Sequence, residues 1–224
     1  LKNVSKVVVN SEELKKYLVE KRRINKNKIH TINHFSPFPK SNFEPNLKLE
    51  SIFYAGNTGR PQNISTFINF FNEQFPQNWK FELYGAGQEF ESLSKFSKEN
   101  IKINDYLPRE DLEEKVKDIP YALICLDYEI TIEGFPGKTF DYLNMNKILI
   151  NFSNPNSAVS KLIDKYELGF NIDLKKPEKL ETTLQQMKNL KKVNQILKNI
   201  SDFQQNISNK EIVSTKYSSL IRSS

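Results

Sequence analysis

The chain has 224 residues, a formal net charge of +6, 38% hydrophobic and 12% aromatic residues. That is enough to bury a sizeable core and too apolar for a disordered chain, while no apolar run reaches the roughly 18 residues needed to span a bilayer. The positive balance favours an anionic partner, but the basic residues are scattered among 27 acidic ones and do not interleave with aromatics, so nucleic acid is not the expected partner.

Taken in order, short apolar runs alternate with helical patterns. KVVVN (6–10) predicts a buried strand, and SEELKKYLVEKR a helix with Ser11 as N-cap, acids in its first turn and Leu14, Tyr17 and Leu18 on one face. KIHTIN (28–33) is a second strand. Residues 34–50 hold three prolines and no periodicity, which predicts a linker. SIFYAGN (51–57) opens a second series. A helix is predicted over 62–75, strand KFELYG over 80–85, a helix over 88–98 and a strand over 101–107. A helix starting on Pro108 follows, then the continuous apolar strand YALICLD (121–127). GKTFDYLNM (137–145) predicts a helix with Pro136 at its first position, KILINF a strand, NSAVSKLIDKYELG a helix closed by Gly169, and FNID a short strand. Helices near 177–190 and 208–222 end the series.

Strand and helix alternating every 20–30 residues predict right-handed βαβ units, hence an α/β fold with a doubly wound parallel sheet. The lone Cys125 sits in an apolar run and excludes a disulfide within the chain, which suits a reducing cytoplasm. His30 and His34 are the only histidines, too few with one distant cysteine for a metal site. The chain begins on Leu1 with no signal-peptide layout, and a fragment of a longer protein is expected.

Six of the seven glycines fall in three loops: Gly56 and Gly59, Gly85 and Gly87, Gly134 and Gly137. Each loop leads from a strand into a helix, so in a parallel sheet all three lie at the carboxyl edge, where ligands of open α/β folds bind. At EGFPGKTFD (133–141) the amides of Gly137, Lys138 and Thr139 would project from a positive helix end, and Lys138 adds a full charge. Asp141, one turn inside, could accept hydrogen bonds from a vicinal diol such as ribose. The pattern points to a phosphorylated nucleotide.

EGFPGKTFD resembles the Glu-x7-Glu signature of the retaining family 4 glycosyltransferases, with Asp141 in the second acidic position. VVVNSEELKKYL…KIHTINH resembles the end of their N-terminal domain. IFYAGNTG, FELYGAGQEFESL…NIKINDYLPREDL, GFPGKTFDYLNMNKILI and NSAVSKLIDKYELGFNID resemble successive units of their C-terminal domain, and ISNKEIVSTKYSSLI its closing helix. The resemblance implies one Rossmann-like half of a two-domain GT-B enzyme. It divides the chain into the tail of an acceptor domain (1–34), a linker (35–50), the nucleotide-sugar-binding domain (51–200) and a helix crossing back (201–224). It implies Glu133 as the catalytic residue on the donor sugar and the amides after Pro136 on the diphosphate, with Phe135, Gly137, Lys138 and Thr139 in that loop. Asp141 would take the ribose hydroxyls, Tyr106 and Leu107 the base, and Gly56, Asn57, Arg60 and Gly85 would face the phosphates.

The implied donor is a UDP- or GDP-linked sugar, with no further cofactor and no metal. The implied acceptor is a glycan or lipid-linked glycan on the absent domain, reached in the cytoplasm at the inner membrane face during bacterial surface polysaccharide synthesis. The fragment alone is expected to bind nucleotide without transferring sugar. Two departures stand out: Asp141 is a methylene shorter than the family's Glu, and Asn57 and Gln62 replace basic residues common in relatives. A noncatalytic nucleotide-binding module is an alternative. A dinucleotide oxidoreductase is a weaker one, because Phe90 stands where GAGQEF would need its third glycine.

Overall fold

A computed structural model describes residues 4–131 and 134–222. Strands Val7–Val9 (β1) and Ile29–Thr31 (β2) pair in parallel as a separate two-stranded sheet, joined by helix Glu12–Glu20 (α1). Ser11 caps α1, its Oγ accepting from the Leu14 amide at 3.1 Å. Residues 34–50 form no helix or strand.

The main sheet contains Ser51–Asn57 (β3), Lys80–Ala86 (β4), Ile101–Asp105 (β5), Tyr121–Cys125 (β6), Ile148–Phe152 (β7) and Gly169–Ile172 (β8). All neighbours run parallel in the order β5-β4-β3-β6-β7-β8. This is the doubly wound α/β fold expected from the alternation. Chain direction across the sheet reverses between β3 and β6, which makes their carboxyl ends the topological switch point. There the two strands diverge: they pair only at Ile52–Tyr121 and Phe53–Ala122. Beyond that register the Tyr142 hydroxyl takes over, accepting from the Ala55 amide at 2.8 Å and donating to the Ala55 carbonyl at 3.0 Å.

Helix Ile64–Gln74 (α2) buries Ile64, Phe67, Ile68, Phe70 and Phe71, a stripe at helical spacing. With Phe75, Trp79, Phe81 and Phe152 these rings make an edge-to-face cluster on the sheet. Each fully buried ring contributes roughly 1.5–3 kcal/mol. The predicted helix over 88–98 shortens to Phe90–Leu93 (α3) and tightens into a 3-10 turn over Ser94–Phe96, where Ser92 and Ser94 turn their hydroxyls back onto the Glu89 and Glu91 carbonyls. Pro108 lies just outside helix Arg109–Lys115 (α4), and Pro136 just outside helix Gly137–Asn144 (α5). Both prolines have extended ψ and serve as N-caps, not as the first helical residues expected.

Helix Ala158–Tyr166 (α6) ends on Glu167 in the left-handed region (φ 48°), not on Gly169. Gly169 lies in β8, where a Cβ would come within 1.9 Å of the Leu149 carbonyl oxygen, so close strand packing explains that glycine. Helices Leu180–Lys188 (α7), Leu190–Asn206 (α8) and Lys210–Arg222 (α9) follow. The 17-residue α8 was not anticipated as an element. Its buried stripe of Val193, Ile196, Ile200 and Phe203 is diluted by lysine and asparagine. α9 returns to the first unit: Lys6 Nζ donates to the Leu220 carbonyl at 2.6 Å, and Ser208 Oγ to the His34 carbonyl at 2.9 Å. No helix among the described residues is long and apolar enough to cross a membrane.

Candidate functional site

The site is built on the switch point. Phe140, Tyr142 and Leu143 pack α5 against the sheet, and this fixes the direction of Lys138, one turn before Tyr142. The Lys138 side chain runs inward over the end of β3. Its Nζ stands 3.8 Å from the centroid of the Tyr54 ring. It also lies 3.0 Å from where a Cβ on Gly56 would sit. Gly56 has φ +129°, so glycine is required there both by backbone conformation and by the lysine. The Tyr54 hydroxyl donates to the Asn57 carbonyl at 2.5 Å and holds the loop that follows.

Lys138 Nζ is buried and has no hydrogen-bond partner among the described residues. Burial lowers its pKa to about 7. A cation–π contact offsets only part of the desolvation of an ammonium. Native interiors pair their buried charges, so a buried amino group without a partner among the described residues is chemically suited to receive an anion. The α5 N-terminus presents more of the same sign. The Gly137 and Lys138 amides have no partner among the described residues. Thr139 does not add a third: its amide donates back to the Pro136 carbonyl at 3.0 Å. Its buried hydroxyl, however, has no partner among the described residues. A Cβ on Gly137 would meet nothing within 4 Å, so that glycine leaves open approach to the helix end.

The other glycine loops close the same edge. Gly85 faces Gly56 in register, and a Cβ there would lie 2.6 Å from the Gly56 carbonyl oxygen. The Asn57 side chain fills the space beside Gly59 and Gly87. Arg60 is exposed in the turn after Gly59 and makes no ion pair among the described residues. Tyr106 is exposed and Leu107 half-buried. Leu107, Tyr84, Phe90, Asn104 and Asp105 line a groove of about 540 Å³ along β5, which neither Lys138 nor Asp141 enters. Glu133 lies outside the described residues.

Asp141 is held from two directions. Ser36, in the linker, donates to its Oδ1 at 2.6 Å, and Arg109 Nη1 of α4 stands 3.9 Å from the same oxygen. Arg109 also stacks over the Phe38 ring of the linker, 4.7 Å from its centroid. The second acidic position thus anchors the linker whatever else it binds. Phe135 packs edge-on against Phe140 at 5.8 Å, and its main chain is paired with the Asn10 side chain. Tyr54, Ser36, Arg109 and Asn10 were not anticipated. All four act across long sequence separations, and no local pattern marks them. Cys125 is buried and its thiol is pushed far up by desolvation, so it offers no nucleophile. Among the described residues no group of His, Cys, Asp and Glu could hold a metal ion.

No protein-family model matches the sequence, and no curated protein matches it. Its fold, however, recurs in solved structures of GT-B glycosyltransferases. A TarM variant from S. aureus, crystallised with fondaparinux, alpha-GlcNAc-glycerol and UDP, superposes with a TM-score of 0.74 at 14% identity, over 98% of this chain and 44% of that one. HepE from Anabaena, with UDP and glucose, gives 0.75 at 11% identity, over 99% of this chain and 64% of that one. The pneumococcal O-GlcNAc transferase GtfA, with UDP and GlcNAc, gives 0.68 at 15% identity, over 98% and 45%. The chain therefore spans less than two thirds of the length of each of these structures.

Proposed function

We propose that this chain is the donor-binding half of a retaining glycosyltransferase. In this reading it holds a UDP- or GDP-linked sugar for transfer to a glycan or lipid-linked acceptor, within bacterial surface polysaccharide synthesis at the cytoplasmic face of the membrane. The observation that carries the proposal is the buried Lys138 amino group beneath Gly56, which has no hydrogen-bond partner among the described residues, beside the Gly137 and Lys138 amides, which have none among them either. Structural neighbours crystallised with UDP support it.

The leaving group of such a transfer is a nucleoside diphosphate, which gains negative charge as the sugar–phosphate bond breaks. A desolvated lysine and a helix N-terminus aimed at that oxygen stabilise the transition state more than the ground state. The proposal assigns the diphosphate charge to these groups and invokes no metal. It gives Glu133 to the donor sugar, Asp141 to the ribose and the 106–107 segment to the base. The acceptor surface and the closure that excludes water belong to a partner domain.

Calorimetric titration with uridine and guanosine diphosphates tests the reading: one of them should bind saturably, and binding by neither contradicts it. The same titration carries a pH signature. Free Lys138 titrates near pH 7, and a bound diphosphate stabilises its charged form, so binding raises its pKa. Affinity should be complete below pH 7 and fall as pH rises above it, by up to about tenfold per unit until the bound-state pKa is reached. At pH 8 binding should take up a large fraction of a proton, read from heats in buffers of different ionisation enthalpy. Buffer-independent heats at pH 8 would exclude Lys138 as the phosphate contact. Asp141→Asn should weaken diphosphate and free nucleoside alike, by about five- to tenfold. Loss of diphosphate affinity alone would remove the ribose from its role.

A further inference from the structure

The first βα unit reaches the entrance of α5 through the Asn10 side chain, and the His34 ring just beyond it packs edge-on against Phe140 at 5.4 Å. Asn10 stands at the carboxyl end of β1, in the separate two-stranded sheet. Its Nδ2 donates to the Phe135 carbonyl and its Oδ1 accepts from the Phe135 amide, each at 3.3 Å. A primary amide carries one donor edge and one acceptor edge, so it satisfies both main-chain groups of a residue as a neighbouring strand would. Each bond is long, and neither would fix the loop alone. Gly134 supplies the independent observation. A Cβ at Gly134 would stand 2.2 Å from Asn10 Oδ1, 3.0 Å from its Cγ and 3.1 Å from its Nδ2. The three nearest obstacles all belong to Asn10. This glycine is therefore kept free for Asn10 to approach.

We propose that Asn10 and Gly134 form a latch between the first βα unit and the entrance of α5, and that Asn10 is a positioning residue for the anion site. The inference rests on the function proposed above for that site. Phe135 is held twice, its main chain by Asn10 and its ring against Phe140. It immediately precedes Pro136, the N-cap from which the Gly137 and Lys138 amides project. A shift of the first unit is thereby passed to the groups that receive the diphosphate. The Glu13–Lys161 ion pair at 3.0 Å, between α1 and α6, is exposed on the lysine side and is a weaker tether.

Amide exchange by NMR and nucleoside-diphosphate affinity test this together. Asn10→Ala should speed exchange of the Phe135 amide by about tenfold or more, with the amides of β6 and β7 unchanged, and weaken diphosphate binding by about three- to tenfold. Gly134→Ala alone should do at least as much on both readouts, because its methyl collides with Asn10. The double variant should return to the level of Asn10→Ala, since the collision is gone. Additive losses in the double variant, or unchanged Phe135 exchange in Asn10→Ala, overturn the latch. A latch seen by exchange with unchanged affinity in a chain that binds diphosphate overturns the positioning role. If the unaltered chain binds no diphosphate, the proposed function fails, while the exchange measurements still decide whether the latch exists.

Discussion

Lys138→Ala is expected to weaken nucleoside-diphosphate binding by about 10- to 100-fold while leaving free nucleoside binding almost unchanged. The magnitude follows from one charge-assisted contact to phosphate, roughly 1.5–3 kcal/mol, made by a largely buried amino group. The selectivity follows from geometry: Lys138 meets the Tyr54 ring and the Gly56 backbone, where a phosphate chain would pass. The same variant should not destabilise the protein. A buried amino group with no partner among the described residues is a cost to the folded state, so its removal should hold or raise the unfolding midpoint. Weaker binding with unimpaired stability distinguishes a ligand contact from a structural one. Equal losses for nucleoside and diphosphate, or a large fall in the midpoint, would argue for a packing role.

Lys147 gives the opposite expectation nine residues later. It is 1% exposed, and its Nζ donates to the carbonyls of Val116, Lys117 and Ile119 at 2.7, 2.8 and 2.8 Å. Burial lowers its pKa to about 7, but three carbonyl acceptors require three N–H donors, which only the ammonium has. These carbonyls close the chain after α4, so the lysine serves as a C-terminal cap on that segment. Lys147→Met keeps the volume and leaves the Lys117 and Ile119 carbonyls without their lysine donor, while the Val116 carbonyl keeps only the Ile119 amide at 3.0 Å. It should cost about 3–5 kcal/mol and lower the unfolding midpoint by about 10 °C, with nucleotide affinity unchanged in the folded fraction. A midpoint within about 2 °C of the unaltered chain would show that the carbonyls find other donors.

The contrast between the two lysines explains what could be read from the sequence. The order of strands and helices was legible because apolar runs and helical stripes are local, and βαβ handedness then leaves few sheets to choose from. The sheet, and with it the carboxyl edge that gathers the three glycine loops, follows from that alternation. Lys138 was legible because it stands two residues into a helix preceded by Gly-x-Pro-Gly. Its burial was not, since that depends on Tyr54 and Gly56, which only strand register brings beneath it. In sequence Gly134 reads as part of a ligand loop and Gly169 as the close of a helix. In the structure both make room, one for the Asn10 side chain and one for the Leu149 main chain. Asp141 was read by its place in a motif, and its hold on Ser36 and Arg109 came only with the path of the linker. Helix boundaries near Pro108 and Pro136 shifted by one residue because a proline caps a helix as readily as it begins one.

The central claim is that a diphosphate is received between Gly56 and the first turn of α5. Backbone amide shifts recorded while uridine and guanosine diphosphates are titrated into the chain test it most directly. With at least one of the two, the account predicts saturable shifts at Gly56, Gly137 and Lys138, larger than those with the matching nucleoside. A second cavity, of about 230 Å³, lies at the opposite edge of the sheet beside Trp79, Tyr121 and Met187. Shifts confined to that edge, or no saturable shift at Gly56, Gly137 and Lys138 with either diphosphate, would contradict the account.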